Sequence, residues 1–481
     1  MPPRIVIIGA GFGGLAAAVE LKKAGHDDLV ILEKGDDVGG VWRENTYPGA
    51  ACDVPSPFYS YSWEPNPRWP HRFSRQPAIL DYIRGVAEKH DLRRHLRTGV
   101  EVTGAAYDEA ARTWSVTLAD GSSLECDVLV PAVGQLSRPG FANIPGRESF
   151  AGDAFHSAEW NHDVDLTGKR VAVIGTGASA VQFIPAIQPE VGHLDVFQRS
   201  APYVIPRPDR KFGERHHTMF TKAPVTQLAE RGTWYGVVET LSVAWVYSKP
   251  LAAVIRRISR LHMLRQTRSK PGLFEKVWPD YPIGCKRILF SNDYLPALAQ
   301  PNVDLVTDAI SEIVPDGVVT ADGVHHPADV LIWGTGFKAT EFLAPMKLTG
   351  VDGADLHETW AEGARAYYGL SVPGFPNLVI MYGPNTNTGG GSVIYFLEAQ
   401  ARYLREYVDR MVAVGAPLNV KPAVEQAYDD RIQGELSGSV WAGCTSWYRQ
   451  ADGRITTNWP LLGVEYKRQA RFADDDYEVL L

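Results

Sequence analysis

Two short glycine-rich stretches constrain this chain more than anything else in it: GAGFGG at residues 9–14 and GTGASA at residues 175–180. Each follows an apolar, strand-like run, RIVII from Arg4 and RVAVI from Arg170, and each opens an amphipathic stretch. That is the strand, turn, helix setting in which a glycine loop cradles a pyrophosphate. The reason for glycine is steric. Gly9 permits the tight turn, Gly11 lets backbone N–H groups approach phosphate oxygens, and Gly14 lets the helix pack close to the strand. Gly175 and Gly177 repeat the first two roles in the second loop, with Ser179 inside it and Ala180 in the third place. Such a chain is predicted to be α/β, with two dinucleotide-binding, Rossmann-like units.

One offset separates the two loops chemically. Glu33 and Arg199 each lie 24 residues past the first glycine of their loop. A carboxylate at the end of the second strand accepts hydrogen bonds from an unmodified ribose, whereas a guanidinium there grips a 2′-phosphate. Glu33 therefore points to FAD and Arg199 to NADPH. The 481 residues correspond to roughly three units at ~150 residues per domain. A net charge of −8 argues against a nucleic-acid partner. A strand beginning at Arg4 leaves no room for a charged and an apolar leader region, so a cytoplasmic protein without a signal peptide is expected.

Strand-like runs at 4–8, 28–33, 170–174, 194–199 and 329–333 alternate with helical periodicity, while residues 98–133 read as antiparallel strands ending at Gly134. A similar strand-to-glycine ending, DVLIWGTGF, occurs at 329–337. Residues 206–283 lack strand alternation and read as a helical insertion, with an apolar stretch at 234–247 followed by a basic run at 255–270. Glu239, Lys249 and Pro250 break the apolar stretch well short of the ~20 residues needed to cross a bilayer, so no integral membrane span is expected. A buried helix followed by a solvated one, or an amphipathic surface anchor, both fit. Cys52, Cys126, Cys285 and Cys444 are far apart with no CxxC, so neither a redox-active disulfide nor a metal site is expected. With two nucleotides and no such disulfide, electrons must leave the flavin for an external acceptor, most plausibly oxygen.

Between the loops, FAGDAFHSAEW at residues 150–160 fits FxGxxxHxxxW, with Phe150, Gly152, His156 and Trp160 at the fixed places. GGVWRENTYPGAACD at residues 39–53 supplies a second pattern containing Gly40, Trp42 and Asp53. Both resemble the fingerprints of the Baeyer–Villiger monooxygenases, class B flavoproteins, and related flavin-containing monooxygenases usually have another residue in place of Trp160. Asn161 departs from the proline or aspartate common after that tryptophan.

The resemblance implies an FAD- and NADPH-dependent enzyme that uses O2 to convert a ketone into an ester or lactone through a flavin peroxide. It implies a discontinuous FAD-binding domain (residues 1–145 and 342–481), an NADP-binding domain (146–205 and 284–341) and the insertion at 206–283. In GCKRILFSNDY, Arg287 matches the family's active-site arginine and Asp53 the aspartate that pairs with it. A fixed cation there stabilises both the anionic peroxide and the tetrahedral adduct. Lys286 and Ser200 are placed near the NADP ribose and its 2′-phosphate, His156 and Trp160 in the joint between domains, and Trp447 in a mobile loop over the nicotinamide. Aromatic residues in the insertion and C-terminal loops, including Trp234, Tyr235, Trp245, Trp441 and Tyr448, suggest an apolar ketone as the small-molecule partner. The rival readings are an oxygenase of sulfur or nitrogen atoms, and an electron-delivery module that oxygenates nothing.

Overall fold

A computed structural model describes residues 2–446, 448–450 and 452–480. Its frame is two parallel sheets, each built around one glycine loop. The first runs in the order Leu96–Thr98, Leu29–Glu33, Ile5–Ile8, Val128–Pro131. Ile5 lies opposite Leu29 on one side and Val128 on the other. The second runs Val303–Val306, His193–Phe197, Arg170–Ile174, Val330–Trp333, Asp153–His156, all parallel. The strands IVII, VLVP and VLIW are buried along their whole length, as strands covered on both faces must be.

Each unit also carries an antiparallel meander. Val102–Asp108, Thr113–Leu118 and Ser123–Cys126 form the first, extended by Lys347–Thr349. Ile310–Val314, Gly317–Thr320 and His325–Pro327 form the second. The sequence reading placed all of 98–133 in antiparallel strands, and here it is corrected at its end. Val128–Pro131 leaves the meander and pairs parallel with Ile5–Ile8 at the end of the first sheet, because an unbroken apolar run needs a layer that is covered on both faces. The two units thus share a plan: loop and helix, meander, then an apolar strand ending in glycine.

Residues 206–283 hold the helices Glu214–Lys222, Pro224–Val246, Lys249–Thr267 and Leu273–Val277. Pairing of Val204–Ile205 with Leu289–Phe290 closes the segment at its base and brings the chain back beside Arg287. None of the helices is long and apolar enough to cross a membrane, among the described residues. The long amphipathic helix Val393–Val414 packs against Phe12–Lys23, so the C-terminal third of the chain covers the first glycine loop.

Candidate active site

Both glycine loops have the geometry their sequence requires. Gly9 has φ +103°, and a Cβ there would lie 2.7 Å from the Ala132 carbonyl oxygen. A Cβ on Gly14 would lie 1.9 Å from the Gly9 carbonyl oxygen, so only glycine lets this helix start so close to its strand. Gly175 has φ +109° and would clash with the Gly334 carbonyl at 2.4 Å, the same relation repeated in the second unit. Gly11 and Gly177 sit at the N-caps of their helices with no side-chain cap, leaving backbone N–H groups for an anion. Ala180 is fully buried beneath Gly334.

The second fingerprint completes the first cradle. Gly40, at φ +54°, faces Gly11 so closely that its Cβ would lie 3.1 Å from the Gly11 Cα. Trp42, just beyond it, donates its indole N–H to the Tyr59 hydroxyl at 3.1 Å. Glu33 ends its strand buried, with Oε2 accepting from the Ala10 N–H at 2.9 Å and Oε1 from the Gly35 N–H at 2.8 Å. Arg43 lies 3.2 Å from Oε1. A carboxylate has about four lone-pair sites, so capacity for ribose hydroxyls remains. Bare glycine backbone, the N-terminus of the helix Phe12–Lys23 and a carboxylate at the strand end fit a dinucleotide.

At the second loop the charge is reversed. Arg199 is exposed at the strand end, and Lys286 donates to the Ser200 hydroxyl at 3.0 Å. Burial and the nearby Arg199 cation lower the Lys286 pKa. Two cations held together in this way need an anion between them, and a 2′-phosphate is one.

Arg287 meets Asp53 across 234 positions of sequence, with Nη2 donating to Oδ2 at 3.0 Å. The Asp53 side chain is 9% exposed and that of Arg287 46%, so the aspartate is buried while the arginine is partly open to solvent. Burial would lower the guanidinium's pKa, but Asp53, with Tyr448, Cys52 and Tyr382 around it, outweighs this and the pKa is raised. Arg287 is thus a fixed cation. Cys52 beside it is a neutral thiol, pushed up to about 12 by burial.

Sequence reasoning missed Gln182. This residue lies on the helix Ala178–Ile187 that follows the second glycine loop, yet its side chain serves the first fingerprint. Its Oε1 accepts from the Tyr47 hydroxyl and the Ala51 N–H, both at 3.1 Å. Its Nε2 donates to the Ala51 carbonyl at 3.0 Å and to Asp53 Oδ1 at 3.2 Å. Ser179, one turn earlier, also bonds Tyr47. Gly49, at φ +82°, lets the fingerprint backbone press onto this helix, where a Cβ would lie 2.6 Å from the Gln182 carbonyl. The signal was present only as the i, i+3 spacing of Ser179 and Gln182.

The FxGxxxHxxxW residues lie at the edge of the second sheet. Gly152 touches the Asp329 carbonyl, where a Cβ would sit at 2.4 Å and also meet the Phe150 ring at 2.9 Å. His156 ends the edge strand opposite Trp333 and accepts the Ala158 N–H through Nδ1 at 3.1 Å. Burial lowers its pKa to about 4, so it is neutral at physiological pH. Its ring meets Phe141 at 5.3 Å, in the segment joining the two sheets, and Trp160 packs on Phe183 of the Gln182 helix at 5.3 Å.

Trp447 lies outside the described residues. The cysteines lie far apart in sequence, yet Cys285 and Cys444, separated by 159 positions, form a disulfide with Cα atoms 6.1 Å apart. Spacing along the chain did not show this, because the C-terminal loop folds back onto the segment that carries Lys286 and Arg287. Cys52 and Cys126 stay as buried thiols.

Two glycine-loop units of opposite ribose charge, with an arginine–aspartate pair where they meet, define a two-dinucleotide oxidoreductase. The family model described as pyridine nucleotide-disulphide oxidoreductase matches residues 6–186. A Baeyer–Villiger monooxygenase of Streptomyces coelicolor is 43% identical, over 99% of this chain and 92% of that protein. One of Pseudomonas aeruginosa is 41% identical, over 95% and 87%. Among solved structures, cyclohexanone monooxygenase from Rhodococcus sp. Phi1 bound to NADP+ superposes with a TM-score of 0.88 at 27% identity, over 99% of both chains. Oxidized steroid monooxygenase bound to NADP gives 0.86 at 30% identity, over 97% of both. The chain belongs to the Baeyer–Villiger monooxygenase family.

Proposed function

We propose that this protein is an FAD-containing, NADPH- and O2-dependent Baeyer–Villiger monooxygenase that turns an apolar ketone into an ester or lactone. The observation that carries the reading is the Arg287–Asp53 pair, a partly exposed cation fixed on a buried carboxylate. NADPH supplies the hydride, and FAD with dioxygen supplies the transferred oxygen. Residues 1–145 and 342–481 would bind FAD, with Glu33 on its ribose and Gly9, Gly11, Gly14 and Gly40 along its pyrophosphate. Residues 146–205 and 284–341 would bind NADP, with Arg199, Ser200 and Lys286 on the 2′-phosphate. Arg287 would stabilise the negative charge that develops on the ketone oxygen, and Asp53 would hold its guanidinium in place. His156 and Trp160 would pass the state of the NADP helix to the segment joining the units. The site of action would be the cytoplasm.

Arg287→Ala tests this. Charge-stabilising donors of this kind carry about 10²- to 10³-fold in rate, so ester formation from a panel of linear, cyclic and aryl ketones should fall by that order. Reduction of the flavin by NADPH should be partly retained. If thioethers give sulfoxide at the native rate and ketones give no ester with either protein, the enzyme is an oxygenase of heteroatoms instead.

A further inference from the structure

The helix Pro224–Val246 presents an unusual surface. Its charged side chains turn inward: Glu230 binds Arg72 at 2.8 Å, and Arg231 donates to the carbonyl oxygens of Pro57 at 2.9 Å and Ser60 at 2.8 Å. Glu239 lies on the wall of a small, partly open cavity with Ser242 and Trp245. Every exposed position of this helix, from Pro224 through Leu228, Gly232 and Val237 to Thr240, is uncharged. Val225 is 68% exposed, Leu228 64% and Val237 42%. A surface helix ordinarily puts its charges on the water side, so this one is built to face something other than water.

The next helix, Lys249–Thr267, shows what that is. It buries Ile255, Ser259, Met263 and Thr267 and leaves Val254, Ile258 and Leu261 exposed at 55%, 47% and 58%. Arg257, Arg265 and Arg268 share this outer side. Between Glu239 and Glu275 the sequence has seven Lys or Arg residues and no Asp or Glu, in a chain of net charge −8. Arg256 and Arg260 lie over the rings of Trp278 and Phe274, which fixes the helix against the body.

We propose that these two helices dock the enzyme on the surface of an anionic lipid bilayer, with Val225, Leu228, Val254, Ile258 and Leu261 in the interfacial region and the arginines on lipid headgroups. Apolar side chains beside cations, in a segment of sequence with no carboxylate between Glu239 and Glu275, match such a surface. A second copy of the chain matches it poorly, because a symmetric contact would set two cationic segments against each other, neither with a carboxylate of its own. Pro224–Val246 also lines that cavity with its inner face, so lipid and cavity are separated by one helix.

The test is co-sedimentation of the full-length holoenzyme with phosphatidylcholine vesicles, with and without about 30% phosphatidylglycerol. At low ionic strength, binding to the anionic vesicles should exceed binding to the neutral ones at least about tenfold and fall steeply with salt. Arg257→Glu with Arg265→Glu should abolish the difference, and Leu228→Ser with Ile258→Ser should weaken binding about tenfold. Flavin content and turnover of a small water-soluble ketone should be unchanged in both variants, which shows that they fold. Equal binding to both vesicles, no binding to either, or binding that survives charge reversal would overturn the proposal. A dimer of the native chain that Leu228→Ser disperses, without vesicle binding, would assign the face to a second copy and overturn it as well.

Discussion

At the scale of single residues, the active site divides into what local sequence dictates and what only folding assembles. The roles of Gly9, Gly14 and Gly175 were legible because a clash between near neighbours demands glycine. The positions of Glu33 and Arg199, though not what they bind, were legible because the length of a strand–helix–strand unit fixes where the second strand ends. Arg287 and Asp53 were not readable from spacing, and only the family resemblance joined them. Gln182 was invisible because its partners lie on the other nucleotide unit. It holds the Ala51 amide and one Asp53 oxygen, while Arg287 holds the other. Gln182 is thus a positioning residue for the aspartate. Gln182→Leu should lower ketone oxygenation about tenfold and divert NADPH electrons to hydrogen peroxide, with little change in the KM for NADPH. The ratio of product to NADPH consumed measures this, and an unchanged ratio would remove Gln182 from the site.

At the scale of elements, the apolar period located the strands of both parallel sheets, but not how each was partnered. VLVP followed a meander in sequence and joined a different sheet in space. The second meander escaped notice because its strands are short and partly exposed, with little alternation to read. The C-terminal helix Pro422–Ser437 carries a different signature, the buried Glu425, only 2% exposed. Burial raises its pKa to about 7, with Asp429 adding to the shift and Arg365 and Arg454 opposing it. Because the folded pKa lies above the unfolded one, the stabilisation is full below about pH 4.5 and is lost as pH rises through about 7. Glu425→Gln should therefore stabilise the protein by about 1–3 kcal/mol at pH 8 and change little near pH 4.5. Thermal melts of both proteins at the two pH values check it, and an equal shift at both would show that packing, not charge, was responsible.

At the scale of the whole molecule, the two nucleotide units do not meet as smooth surfaces. One helix of the second unit lends Ser179, Gln182 and Phe183 to the fingerprint loop of the first and to Trp160. A shift of that helix on binding NADP would be felt at Asp53, with no mobile intermediary required. Composition and motif order made two units and an insertion readable. The path by which the last third of the chain returns over the first unit had no sequence mark, because it depends on where Val393–Val414 finds an apolar partner.

The bridge between Cys285 and Cys444 turns the chain between them into a closed ring, threaded through both nucleotide units. A cut inside that ring opens it without releasing either half. Limited proteolysis at an exposed loop within it, such as 321–325 in the second meander, should give two pieces that run together on a non-reducing gel and part when a thiol is added. Separation without thiol would mean that the ring is open in solution. While it is closed, the loop that carries Cys444 stays tethered two residues from Arg287 through any movement of the two units.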